Sequence, residues 1–307
     1  MYAGVVASSS ELKALNSPPM RFITAALDND LTAVASFLRG GGVGVHRTDA
    51  VDVNVVDPRD NLFALLAATR QGHEAMVRLL LAESEINVNQ AVTSRTTDGS
   101  QGNGVTSLME ASMKGYAPIA TLLLEKGADV NLQTAETYGG ISALWLAASA
   151  GEVEVIRLLL DAGADPNMAR QADGITPLMA AAAGGHAEVV DLLLQAGAIV
   201  DTRDNDGVTA LLNVAESGDL ETLQLLLEAG ADVNYMSNSN FSPLIVACAH
   251  GHFDAISALI DAGMSHSSLL IVQSHLSLIL IYYVLFGRCG CQHAPSRWRI
   301  TSDVCCR

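Results

Sequence analysis

The apolar residues of this chain fall into short helical clusters, with glycine between them at regular intervals. Leu178, Ala181 and Ala182 share the three- and four-residue spacing of one helix face, and so do Val189, Leu192 and Leu193. Gly185 separates the two clusters and Gly197 follows the second, where a helix stop favours a left-handed residue. Thr176-Pro177 precedes the first cluster. The threonine hydroxyl can accept from free N–H groups of a first helical turn, and proline fits the first helical position. The pattern predicts two short antiparallel helices joined by a tight turn.

The same hairpin recurs along the chain. Gly104-Val105-Thr106-Ser107-Leu108 leads to Gly115, the triplet Leu122-Leu123-Leu124, and the exit Gly127-Ala128-Asp129-Val130-Asn131. Copies begin at 104, 140, 174, 207 and 240, at spacings of 36, 34, 33 and 33 residues. Two weaker copies begin near 18 and at 61, each 43 residues before the next, so each upstream junction carries an insertion. In the first copy Asn29-Asp30 stands where later copies have glycine and often histidine, as in Gly185-His186, which suits a terminal cap. One hairpin of this length cannot bury its own apolar face. Stacking supplies the missing surface, so the fold class is all-α: a solenoid of helix-turn-helix units with short turn or hairpin connections.

This repeat resembles the ankyrin repeat, with its turn, a first helix opening at Thr-Pro-Leu, a Gly-His junction, a Leu-rich second helix and a Gly-Ala-Asp-Val-Asn exit. The resemblance covers about seven copies, residues 18–264. One departure is consistent: the histidine that follows Thr-Pro-Leu in the family is replaced by Met109, Trp145, Met179, Leu212 and Ile245. That histidine helps tie neighbouring turns in the family, so its loss implies a softer hairpin side.

The resemblance also implies a function, binding another protein on a concave surface made by turn tips and the exposed side of helix one. The tips map to residues 134–139, 170–173, 203–206 and 235–239. Candidate contact residues there are Tyr138, Arg170, Asp173, Arg203, Asn205, Asp206, Tyr235 and Asn238. On helix one they are Met113, Lys114, Trp145, Ser149, Glu216 and His250. Tyr138 and Trp145 stand out because aromatics make good interface anchors, although Trp145 suits packing between repeats equally well.

Charge narrows the partner. Residues 1–264 hold 13 Lys and Arg against 32 Asp and Glu, whereas residues 265–307 hold 4 against 1. An acidic body repels phosphate backbones, so direct nucleic-acid binding is not expected, and a basic peptide or basic protein face suits it better. A monomer is expected. No catalytic signature is complete. Gly40-Gly41-Gly42-Val43-Gly44 lacks a following Gly-Lys-Ser/Thr and reads as a loop. His73-Glu74 has no second His at the required spacing. Asp204-Asn205-Asp206-Gly207 matches a calcium loop only in part, because Thr202 and Asn213 occupy ligand positions; it reads as a repeat tip. Cys289, Cys291, Cys305 and Cys306 lack zinc-ligand spacing, and Cys248 reads as a small apolar core residue. The expectation is therefore no enzyme, no cofactor and no metal.

Residues 1–17 read as a flexible segment with no secretory pattern, which points to the cytoplasm, with the nucleus as an alternative. The repeat breaks off after Asp261-Ala262-Gly263, and residues 269–286 are strongly apolar. Three readings fit residues 265–307: a membrane anchor, an apolar helix capping the stack, or sequence never selected as protein. Under the first, the chain is a membrane-tethered member of the family. A fragment of a larger ankyrin-containing signalling protein is a further alternative.

Overall fold

In a computed structural model the described residues are 17–39, 51–57, 62–92 and 104–263. They form fourteen α-helices in seven consecutive pairs. The first helices of the pairs are α1 Pro18–Leu27, α3 Ala64–Arg70, α5 Ser107–Met113, α7 Ala143–Ala150, α9 Pro177–Gly184, α11 Ala210–Ser217 and α13 Pro243–His250. Their partners are α2 Leu31–Leu38, α4 Glu74–Leu81, α6 Ala117–Glu125, α8 Val153–Asp161, α10 Ala187–Gln195, α12 Leu220–Glu228 and α14 Phe253–Asp261. Each first helix packs on the first helices beside it, and each second helix on its neighbouring second helices, giving two parallel layers. The core between them is continuous from Met20 to Leu259.

The local signals act as expected. Thr106, Ser142, Thr176, Thr209 and Ser242 each accept from the backbone N–H three residues on, capping α5, α7, α9, α11 and α13. Gly185 has φ +69°, and in the first repeat Asn29 takes the same left-handed role at φ +58°. Asp30 then caps α2 by accepting from Ala33 N–H at 3.0 Å, which holds its carboxyl below the ordinary aspartate range. Alanines such as Ala147, Ala148, Ala181 and Ala182 are fully buried between adjacent first helices, where larger side chains would hold the layers apart.

Two ladders run across the repeats. On the exit side, Asn131 accepts from Asp165 N–H at 2.9 Å and donates to Gly163 O at 3.2 Å. Asn167 does the same toward Ile199 N–H and Gly197 O. At the next step Asp201 accepts from Asp232 N–H at 3.1 Å, but a carboxylate has no N–H to donate to Gly230 O. Asp201→Asn is therefore expected to stabilise the fold by about 0.5–1 kcal/mol, read as a higher urea midpoint; a lower midpoint would contradict this account of the ladder. On the junction side, His73 contacts Leu27 O at 2.9 Å, His186 contacts Ser149 O at 3.3 Å and His252 contacts Glu216 O at 2.9 Å. Each ties the start of a second helix to the first helix of the repeat before.

The stretched upstream junctions, the Gly40–Gly44 run, residues 1–16 and the apolar tail lie largely or wholly outside the described residues. Among the described residues, no helix is long and apolar enough to cross a membrane. At the last described repeat, Cys248 and Ile256 are half-buried, whereas their counterparts Ala215 and Leu223 are completely covered. Burial still pushes the Cys248 thiol up to about 11, so it is a poor nucleophile at neutral pH.

Candidate protein-binding face

The tips are held by backbone bonds between repeats. Ala172 N–H donates to Gly139 O at 3.1 Å, Asn205 N–H to Asp173 O at 2.8 Å and Asn238 N–H to Asp206 O at 3.2 Å. Asn205 and Asn238 add side-chain bonds to Ala172 O and Asn205 O. The row of tips thus presents its side chains on a fixed spacing, which lowers the ordering cost of binding.

Tip and first helix meet directly at Trp145. Its indole N–H donates to Ile175 O at 3.1 Å, and the Arg170 guanidinium lies over the ring, 4.9 Å from its centroid. Trp145 occupies the position of the family's missing histidine and bridges to the next repeat. The expected softening is thereby corrected at this step, because an indole donor ties the turn there. The other replacements, Met109, Met179, Leu212 and Ile245, are buried and pack instead.

Arg170 also pairs with Asp173, donating through Nε at 2.9 Å and through a second nitrogen. These two residues are half-buried and satisfy each other, so they scaffold the tip rather than stand free for a partner. The guanidinium holds the Asp173 carboxyl below the ordinary aspartate range, with help from Ile175 N–H and against partial burial. A lowered folded-state value means that this stabilisation is present above the ordinary aspartate range and is lost as pH falls through the folded value. Asp173→Asn should lower stability by about 0.5–1 kcal/mol at neutral pH, since the pair is partly solvated. The gap to the parent chain, followed as urea midpoint, should close below about pH 4; a gap independent of pH would contradict this pairing.

The remaining candidates divide clearly. Met113 and Tyr138 are each 43 % exposed, and Lys114, Ser149, Arg203, Asn205, Asp206, Glu216, Asn238 and His250 are exposed as well. Tyr235 is half-buried beneath the Arg203 guanidinium, 4.2 Å from its ring centroid. Within the tip ranges, Thr134 and Ser237 are buried and bond their own loops, through Ile141 N–H and Phe241 N–H. Asp204 accepts from Asp206 N–H and Val208 N–H, as a tip residue does. His250 stacks on His252 with centroids 6.0 Å apart.

Phe241, 49 % exposed, is a surface aromatic that sequence reasoning passed over. Its signal was available, because the other regular copies hold Val105, Ile141, Ile175 and Val208 at this position. Phe241 borders a cleft of about 180 Å³ between the sixth and seventh repeats, with Val208, Leu212 and Val246 as further apolar walls and Asp206 and Glu216 at the edge. The cleft joins tip residues to first-helix residues on one face.

A family model described as ankyrin repeats (3 copies) matches residues 22–134, 135–204 and 198–269. No curated protein matches the chain. The paired helices, the left-handed junction residues and a family match over most of its length agree, and the chain belongs to the ankyrin-repeat family.

Proposed function

We propose that this chain is an intracellular adaptor that binds a partner protein through its tip and first-helix face, and that the bound surface of the partner is basic. Ankyrin repeats generally mediate protein–protein interaction, which sets the class. The observation that carries the choice of face is its aromatic content: Tyr138 and Trp145 line it at the fourth repeat and Tyr235 and Phe241 at the seventh, on a backbone fixed by inter-repeat bonds. Asp206 and Glu216 supply negative charge beside the last of them, and among the described residues neither forms an ion pair. The chain acts as a monomer in the cytoplasm and contributes binding rather than catalysis.

The test is retention of partner from a native extract on the immobilised full chain, in parallel with a Tyr138→Ala/Phe241→Ala chain of the same fold by circular dichroism. Retention should fall at least tenfold in the variant and decline with added salt, since screened charge contributes. Equal retention by both chains would remove the face from the account.

A further inference from the structure

The fifth and sixth tips carry the same Arg-x-x-Asp spacing, Arg170/Asp173 and Arg203/Asp206, and use it differently. Arg170 pairs with Asp173 and covers the Trp145 ring. Arg203 instead lies over Tyr235 of the following tip. The counterpart of Tyr235 one repeat earlier is Thr202, which gives Arg170 no ring to move to. Asp206 is thereby left without its arginine, exposed, at the edge of the 180 Å³ cleft.

That cleft is the later equivalent of the slot that Trp145 and Arg170 fill. Steps of 34 and 33 residues put Leu212 at the Trp145 position, and two steps of 33 put Met236 at the Arg170 position. A shorter side chain replaces the indole, the internal cation is gone and Ser239 stands at the Asp173 position, but Asp206 brings an acceptor where the earlier slot has Gly139. Glu216 adds a second acceptor where Met113, Ser149 and Ala183 stand in the three preceding repeats.

Resting on the proposed binding face, we infer that this cleft is the receptor for one arginine side chain of the partner. A volume of about 180 Å³ holds one long side chain and is too small for a folded element. Val208, Leu212 and Val246 take the methylene stem, Phe241 offers a ring face to the guanidinium plane, and the Asp206 and Glu216 carboxylates accept its N–H donors. The planar fork of arginine matches this combination of ring and carboxylate, whereas a lysine ammonium uses only the charge.

The experiment is a titration of the full chain, labelled at its Val and Leu methyls, with N-acetyl-arginine amide, followed by NMR. Saturable shifts are expected at Val208, Leu212 and Val246. The citrulline amide, neutral and of the same shape, should bind about tenfold more weakly or worse, and so should the lysine amide. Glu216→Gln and Asp206→Asn should each weaken the arginine probe at least about fivefold without changing the urea midpoint. Citrulline or lysine binding as well as arginine overturns the assignment, as does an unresponsive cleft. If the cleft is silent while Tyr138→Ala/Phe241→Ala still abolishes partner retention, only the arginine assignment falls; if that variant also retains partner, the binding face falls with it.

Discussion

Leu159→Ala is expected to lower the unfolding free energy by about 3–4 kcal/mol. Leu159 is completely buried on α8, in the fourth repeat, with second helices α6 and α10 packed on either side. Truncation removes about three methylene equivalents from water-free surroundings and leaves a cavity that two flanking repeats share. Neither can close it without losing its own register. Leu259 on α14 is equally buried but belongs to the last described repeat, with a helix pair on one side only among the described residues. In a stack held by nearest-neighbour interfaces, a defect at an end uncouples one unit, whereas a defect in the middle weakens two interfaces. Leu259→Ala should therefore shift the main urea transition less than Leu159→Ala and broaden its start. Equal shifts, followed by circular dichroism, would contradict a one-dimensional stack.

Gly104→Ala is the second large effect, at about 2–3 kcal/mol. Gly104 has φ +73°, and an added Cβ would stand 2.5 Å from the backbone nitrogen of Ala135 in the next tip. A side chain could rotate away from such a clash; a backbone atom in the tip ladder cannot. Gly163 gives the control. Its φ is +86°, but an added Cβ meets nothing within 4 Å, so Gly163→Ala carries only the conformational strain of about 1 kcal/mol. Urea midpoints for the two variants should differ clearly, with Gly104→Ala the lower. Matching midpoints would show that the tips are not packed as described.

Much of this architecture is legible in the amino-acid order because its determinants are local. The Thr176 cap, the left-handed Gly185 and the buried face of Val189, Leu192 and Leu193 each depend on neighbours within one turn, and they recur at a fixed period. What escaped is settled between repeats. Asn131 is visible as a recurring exit residue, but its partners lie 32 and 34 residues away. Trp145 could be read as an anchor or as packing; its bond to Ile175 O makes it a tie across the turn. The identical spacing of Arg170/Asp173 and Arg203/Asp206 predicts two similar tips, and the neighbouring rings, Trp145 under Arg170 and Tyr235 under Arg203, separate them. Phe241 was passed over because the repeat pattern records that position as apolar without recording size.

The most direct test of the binding face uses a photo-reactive amino acid placed at single positions of the full chain in its native cells. Tyr138, Ser149 and Asn238 sample the tip and first-helix side, and Arg157 and Gln195 sample the second-helix side. One shared cross-linked partner is expected from the first three positions and none from the other two. Cross-links that form only from Arg157 and Gln195 would contradict it.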